Sequence, residues 1–370
     1  MSHFFRTTPA TLGLQAAQEF GATPLFLGQS SAAFFIGLMG AQLLVGISLD
    51  RLGFARSITR FLPVAIVGVM LVASAQTAPQ YLLGRLLIGI GSSPLFMGAV
   101  YYLTQHIPPI KQALYLSFVY AFSQLGTLLA GYPITALADL SSWRVAEFAG
   151  GVVLAVMLGI VKVGLQNTSA IPRHTDPLPI GKALLNRHFL KFLPLFICAY
   201  PIILTVVATW SSTYLINIHS LDKLAASGAI SLLGGLQIGS VLLYGLLARL
   251  FHNSAPIISA GVIMTFIALT ALAIFPLRST GAVLMLCLIS TACSFNVLLV
   301  REIRAALPQA FAGRGMTIAN LISGLGIIGF PLITGFLLRD FGFSAVFGFL
   351  AIALLLAAIP YPFLAKQKVP

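Results

Sequence analysis

The chain has 370 residues, of which 58% are hydrophobic and only 8% are charged, whereas soluble domains have roughly 25% charged residues. A chain with so few charged residues does not have enough of them for a surface exposed to water. We therefore expect an integral membrane protein built from apolar helices of about 20 residues. The formal net charge of +13 lies mainly in short loops between apolar segments. It therefore indicates membrane orientation and excludes a nucleic-acid partner.

The amino-terminal 28 residues contain Arg6, Gln15, Gln18 and Glu19 and are too polar for one full span. The apolar segments that follow predict eleven complete membrane-spanning helices, joined by short polar loops. We place these helices at residues 29–49, 58–77, 79–104, 113–137, 143–163, 190–216, 225–248, 255–275, 280–300, 314–338 and 344–364.

The loop after the first of these helices reads GISLDRLGFAR and has the spacing G-x-x-x-D-R-x-G-x-x-R. Glycine allows close helix packing and sharp turns, and an aspartate at a helix end can pair with a cation or with the positive end of a neighbouring helix. The five residues at the fixed positions are Gly46, Asp50, Arg51, Gly53 and Arg56. This pattern resembles the loop between the second and third spans of the major facilitator superfamily of secondary transporters.

The resemblance implies an all-helical fold of two pseudo-symmetric six-helix bundles, which move a solute by alternating access. It also implies that Asp50 and its neighbours form a latch at the cytoplasmic ends of the bundles. The latch would hold them against the start of the eleventh span near Arg314 and break when the protein opens inward.

Residues 164–189 are rich in proline and charge and predict one long linker. We therefore expect an N-terminal bundle at 1–163, a cytoplasmic linker at 164–189 and a C-terminal bundle at 190–370. An internal repeat at an offset near 200 supports two related halves. Residues AGYPIT, which start at Ala130, match IGFPLIT, which starts at Ile328.

The same offset places the start of the first span about ten residues before Met1. Residues 1–17 are then interpreted as the outer part of a truncated first span, and a native start upstream of Met1 is the favoured explanation. The other explanation is a first helix that is naturally short.

Lysine and arginine are unevenly divided between the two ends of the predicted helices. About 15 fall at the ends that include the signature loop and the linker, and about five fall at the opposite ends, which places the former ends in the cytoplasm. We expect a multi-pass protein of the bacterial inner membrane with a cytoplasmic C-terminus.

Two arginines are candidates for binding a substrate inside the membrane. Arg6 lies near mid-depth if the first span continues upstream, and Arg85 lies about six residues into the fourth span. Ionisable residues within spans are functional candidates, and a guanidinium matches carboxylate or phosphate, so an anionic substrate is expected. Alternatively, Arg85 begins RLLIG, which resembles a superfamily motif whose arginine is structural or proton-linked. No carboxylate lies deep in a complete predicted span, which argues against a mid-membrane acid as proton carrier. Glu19, or Glu147 near the outer end of the sixth span, is the remaining candidate for that role.

Polar and aromatic residues at helical spacing complete the predicted substrate site, although interhelical hydrogen bonding or core packing is the more common role of such residues. They are Tyr120, Gln124, Trp210, Tyr214, Asn296 and Asn320.

The sequence thus predicts a monomeric secondary active transporter of a small solute, with an organic anion as substrate, a proton or ion as coupling partner and the lipid bilayer as surroundings. The alternative is a non-transporting membrane protein with the same fold, such as a sensor, an accessory subunit or a truncated remnant. An enzyme is not expected, because no nucleophile or metal constellation is present in the pattern. We expect no cofactor and no metal.

Overall fold

The computed structural model describes residues 1–164, 187–251, 253–305 and 312–360, and every regular element in these ranges is a helix. The α-helices, numbered in chain order, are α1 Ser2–Thr11, α2 Gly13–Glu19, α3 Leu25–Ala73, α4 Ala78–His106, α5 Pro109–Leu129, α6 Tyr132–Leu140, α7 Trp143–Gly164, α8 Arg187–Thr205, α9 Ser211–His219, α10 Lys223–Leu250, α11 Ala255–Ile274, α12 Ser279–Ala292, α13 Asn296–Ala305 and α14 Ala312–Ala358.

Eight helical segments of the described part are long and apolar enough to cross a membrane, which agrees with the expected polytopic class. Helix α3 has 49 residues, a length of about 74 Å at 1.5 Å per residue, whereas the hydrocarbon core is about 30 Å thick. It bends at Gly53, where φ is 78° and ψ is 179°. The expected cationic loop between the first two complete spans is therefore reduced to a turn at one glycine.

Three of the predicted spans contain breaks that hydropathy alone does not show. The span at 113–137 is divided between α5 and α6 at Gly131, and Pro133 follows in the first turn of α6, where proline is tolerated. A π-helical segment, Val206–Trp210, joins α8 to α9, and a 3₁₀ segment, Cys293–Phe295, joins α12 to α13. Interruptions of this kind are frequent near functional positions.

The chain divides into two compact units. Unit 1 comprises Met1–Thr175 with Asp222–Ser231, and unit 2 comprises Asp176–Leu221 with Leu232–Pro370. In unit 1, α3 and α4 pack so closely that a Cβ on Gly89 would lie 2.0 Å from the carbonyl oxygen of Phe34. In unit 2, α14 approaches α8 at Gly326, where a Cβ would lie 2.2 Å from the carbonyl oxygen of Ile197. Small residues at such contacts hold membrane helices together.

The polar N-terminus forms helices that pack inside unit 1. Helix α1 lies against α5 at Gly126, where an added Cβ would be 2.8 Å from the backbone nitrogen of Phe4. It also lies against α7 at Gly150, where the rings of Phe4 and Phe5 fill the space that a side chain would take. This packing places the polar residues of α1 next to α4 and α7.

Candidate functional site

Two opposite charges are buried together in unit 1. Arg85 on α4 and Glu147 on α7 are 0% and 1% exposed, and the Nη1 atom of Arg85 lies 4.0 Å from the Oε1 atom of Glu147. Removing an ion from water costs several kcal/mol, so buried charges occur mainly where they are paired. The sequence predicts Glu147 near the outer end of a span. In the structure its side chain is enclosed by protein and lies next to Arg85.

The Arg85 guanidinium has partners on two further helices. Its Nη1 donates a hydrogen bond to the hydroxyl of Thr8 on α1 at 3.1 Å, and its Nε donates to the backbone oxygen of Ser30 on α3 at 3.5 Å. The Phe34 ring lies 5.2 Å from the guanidinium carbon, within the range of a cation–π interaction. Arg85 therefore joins α1, α3, α4 and α7.

Two polar atoms of this pair, Arg85 Nη2 and Glu147 Oε2, are buried without a hydrogen-bond partner in the described part. The Tyr81 hydroxyl and the Ser30 hydroxyl are buried beside them and interact with each other. Most buried polar groups in proteins have a partner, and an orphan requires an explanation such as a functional role or a bound water. We name the five residues Arg85, Glu147, Thr8, Tyr81 and Ser30 the buried charge cluster.

Arg6 lies in a different environment on the same helix as Thr8. It is half-buried, its guanidinium carbon lies 5.7 Å from the centre of the Phe35 ring, and its charge acts on the nearby His3. The imidazole of His3 in turn interacts with the Gln124 side chain of α5. Side chains two positions apart on a helix do not face each other, so α1 presents Arg6 and Thr8 in different directions.

The aromatic candidates of unit 2 are packed within the protein. Trp210 is fully buried, and its indole nitrogen donates a hydrogen bond to the Thr334 hydroxyl at 2.8 Å. Tyr214 is 4% exposed and its ring lies 5.2 Å from that of Phe343 and 5.0 Å from that of Phe347, measured between centroids. These contacts stabilise the junction of α8, α9 and α14.

The remaining predicted substrate residues are spread over the two units. Gln124 is 7% exposed and its Oε1 lacks a partner among the described residues. The same is true of the buried Oδ1 of Asn296 at the start of α13, whereas the side chain of Asn320 on α14 is exposed. Tyr120 lies in α5, but its side chain is outside the described residues.

The predicted latch residues lie at the bend of α3. Asp50, Arg51 and Arg56 are exposed, whereas Gly53 is buried. A Cβ on Gly46 would have no neighbour within 4 Å, so this glycine makes no close helix contact in the described part. The side chain of Arg314 is outside the described residues, and the latch therefore stays a prediction.

Sequence reasoning did not single out Thr8, Ser30, Phe34 or Tyr81. Thr8 and Arg85 are 77 residues apart in the chain, so their contact depends on how α1 packs. The one local signal is the spacing of Tyr81 and Arg85, four residues apart on one face of α4. Among the described residues, no group of three or more His, Cys, Asp or Glu could hold a metal.

Residues 1–300 match the family model of the Major Facilitator Superfamily. Because the match covers most of the chain, the protein belongs to this superfamily, and the predicted family is confirmed. The family and the fold indicate a multi-pass membrane transporter rather than an enzyme.

The fold is similar to crystal structures of a bacterial homolog of the human lysosomal transporter Spinster. The inward-facing, occupied form has a TM-score of 0.79 at 14% identity, with 99% of this chain and 94% of that chain covered. The inward-facing, unoccupied form has a TM-score of 0.74 at 16% identity, with 100% and 96% covered. At these identities the likeness concerns the fold.

A curated relative by sequence is the efflux pump mokI of Monascus pilosus. It is 24% identical over 215 residues, which are 56% of this chain and 39% of that protein. The chain thus matches well under half of the length of this relative.

Proposed function

We propose that the protein is a secondary active transporter that moves a small organic anion across the membrane by alternating access. The observation that carries this proposal is the half-buried Arg6 on α1, over the Phe35 ring and beside His3. A guanidinium with partial exposure can bind a carboxylate or phosphate through two parallel hydrogen bonds. The adjacent aromatic ring favours a substrate with an apolar part.

Arg6 is a better candidate than Arg85 for direct contact with the substrate. Arg85 is fully buried, and its guanidinium already contacts Thr8, Ser30 and Phe34. Arg85 is therefore closed to a dissolved anion, whereas Arg6 is half-buried. We therefore assign charge recognition to Arg6 and a role inside the protein to Arg85.

The proposal includes the expected orientation and gating. The C-terminus lies in the cytoplasm, because lysine and arginine concentrate at one set of helix ends. The inner membrane of a bacterium is the proposed location. The latch at Asp50 opens and closes the cytoplasmic side, as the superfamily resemblance implies. The coupling partner is a proton or another ion.

Ligand-dependent thermal stability of the purified protein tests the proposed substrate class. A ligand that binds the folded state raises the midpoint of thermal unfolding. We expect stabilisation by benzoate, succinate or glycerol phosphate, and none by glucose or tetraethylammonium. Replacing Arg6 with alanine should weaken the binding of the stabilising anion by a factor of about 10 or more, since a charge-assisted hydrogen bond contributes about 1.5–3 kcal/mol.

The matched control is Arg278→Ala, which removes an exposed arginine of unit 2 and should leave the anion response unchanged. Equal anion affinity in wild type and Arg6→Ala would contradict the assignment of Arg6. Stabilisation by the cation or sugar, and by none of the anions, would contradict the substrate class.

A further inference from the structure

We infer that the Ser231 hydroxyl is a removable insert that holds α5 and α6 apart at their junction, and that the two helices join into one less bent helix when it withdraws. Ser231 lies on α10, 99 residues after Tyr132 in the chain. The inference concerns a conformational change of unit 1 and does not depend on the proposed substrate.

The Ser231 hydroxyl occupies the place of a helix hydrogen bond. In a regular α-helix the N–H of Tyr132 would donate to the carbonyl of Leu128, four residues earlier. Here the Tyr132 N–H donates to Ser231 Oγ at 2.9 Å, and the Ser231 hydroxyl donates to the Leu128 oxygen at 2.9 Å. One hydroxyl thus acts as acceptor and as donor between two backbone groups. A side chain inserted in this way is a known cause of a sharp helix bend.

Gly131 makes room for the inserted hydroxyl. It lies at the junction of α5 and α6, with φ −87° and ψ −122°. A Cβ there would lie 2.3 Å from Ser231 Oγ and 2.7 Å from both the Ser231 nitrogen and the Ser227 oxygen. These distances are far shorter than van der Waals contact, so the backbone of α10 can approach this junction because residue 131 has no side chain.

The proline after this glycine does not by itself explain the break. Residues 131–133, Gly-Tyr-Pro, match residues 329–331, Gly-Phe-Pro. Pro331 lies inside α14, which has its non-helical residue only at Gly342. A Cβ on Gly329 would meet nothing within 4 Å. The helix is therefore interrupted where a serine enters beside the glycine, and it is continuous where the glycine is open.

Both states of the junction satisfy the same backbone groups. With the hydroxyl inserted, the Tyr132 N–H and the Leu128 carbonyl bond to Ser231, and without it they can bond to each other. The withdrawn hydroxyl can donate to the Ser227 carbonyl, four residues earlier on its own helix. Unpaired backbone groups cost free energy, so the two paired arrangements are discrete alternatives. Pro133 retains some bend in either state.

Helix α10 is the element that can withdraw the hydroxyl. Its residues up to Ser231 belong to unit 1, and its residues from Leu232 onward belong to unit 2. The helix runs from Lys223 to Leu250, so a displacement of its longer part moves Ser231 as well. The inserted hydroxyl thus connects the bend of α5 and α6 to the position of α10.

Pulsed electron paramagnetic resonance of the full chain in lipid tests the inference without any solute. Spin labels attached through Leu125→Cys on α5 and Leu140→Cys on α6, both at exposed positions, report the distance across the junction. The three native cysteines are replaced by alanine in this background. A straight helix of 15 residues spans about 22 Å, and a bend shortens this distance. We expect Ser231→Ala to shift the distance towards the straight value.

Matched variants separate the inserted hydroxyl from general helix packing. Ser227→Ala removes a hydroxyl that donates within its own helix, to the Leu224 carbonyl, and should keep the distance measured without it. Gly131→Ala adds a Cβ that collides with the inserted hydroxyl, so it should give the same shift as Ser231→Ala. Gly329→Ala is its control, because that Cβ has open space, and it should give no shift.

Amide hydrogen exchange of the peptide around Tyr132 supplies a second readout. In Ser231→Ala the Tyr132 amide should stay protected, because the Leu128 carbonyl replaces the hydroxyl as its acceptor. An unchanged label distance in Ser231→Ala, an equal shift in Ser227→Ala, or faster exchange at Tyr132 in Ser231→Ala would overturn the inference.

Discussion

Gly53 and Gly342 have almost the same backbone conformation, although they lie in different units. Their φ and ψ angles are 78° and 179° in α3, and 79° and −175° in α14. This region of conformational space is essentially restricted to glycine. The residues around them are also alike, since DRLGF at 50–54 and RDFGF at 339–343 both place an acid–base pair before Gly-Phe. The sequence singled out only the first of these two turns.

We predict that alanine at either glycine destabilises the protein. A non-glycine residue in this conformation costs about 1–3 kcal/mol, so Gly53→Ala and Gly342→Ala should each lower the midpoint of thermal unfolding in detergent. Gly46→Ala is the control, because Gly46 is helical and its Cβ would meet nothing within 4 Å. It should be neutral or slightly stabilising. Unchanged midpoints in both test variants would contradict the assigned backbone strain.

Sequence analysis identifies the two charged residues of the buried charge cluster but not its hydroxyl-bearing residues. Arg85 stands out because an arginine within an apolar helix requires a reason, and Glu147 is one of the chain's eight acidic residues. Thr8 and Glu147, in contrast, are 139 residues apart. Their contact follows from the packing of α1 on Gly126 and Gly150 and has no local signature.

At the scale of elements, an ionic tether joins three segments at one end of unit 1. The carboxylate of Glu19, at the end of α2, accepts hydrogen bonds from the indole of Trp143, at 2.8 Å, and from the guanidinium of Arg144. Arg144 also donates to the backbone oxygen of Ala75, after α3, at 2.6 Å. The tether fixes the amino-terminal helices to α3 and α7.

Loss of the Glu19 charge should weaken this tether in a pH-dependent way. Hydrogen bonds from Arg144 and Trp143 lower the pKa of Glu19 below its ordinary value of 4.5. A lowered pKa gives stability that is present above the ordinary value and is lost as the pH falls through the lowered one. Because the pair is partly exposed, we expect Glu19→Gln to cost only about 0.2–1 kcal/mol at neutral pH.

The measurement is the thermal unfolding midpoint of Glu19→Gln and wild type at neutral and acidic pH. The difference between them should shrink on acidification, and Asp139→Asn should show no such change. A difference that stays constant with pH would show that Glu19 acts through packing rather than charge.

Hydropathy predicts where helices exist but not how they are divided. The apolar segments at 143–163, 225–248 and 255–275 agree within a few residues with α7, α10 and α11. The breaks near residues 131, 206–210 and 293–295 are not visible in hydropathy, because those segments stay apolar throughout. Helices α3 and α14 differ from the prediction in the opposite way. Polar residues near Gly53 and Gly342 predict a loop between two spans, but in the structure the chain only bends at each glycine and the helix continues.

For the whole molecule, each copy of the repeated sequence places a threonine shortly after a helix proline. Thr135 in AGYPIT donates a hydrogen bond to the Gly131 carbonyl at 3.1 Å, and Thr334 in IGFPLIT donates to the Phe330 carbonyl at 2.5 Å. Both hydroxyls thus satisfy a backbone oxygen one turn earlier, beside a helix proline. Thr265 and Thr291 make the same contact outside the repeat, so the division into two related halves stays a prediction.

The central claim is that this superfamily member binds an anion and carries it across the membrane. The most direct test is uptake of a radiolabelled anion, chosen as the strongest stabiliser among benzoate, succinate and glycerol phosphate, into vesicles that contain the purified protein. We expect saturable uptake by the wild type. Asp50→Asn should retain anion-dependent stabilisation but lose most of the uptake, because it alters the proposed latch rather than the proposed anion site. Wild-type vesicles that bind the anion but take up no more of it than protein-free vesicles would contradict the account.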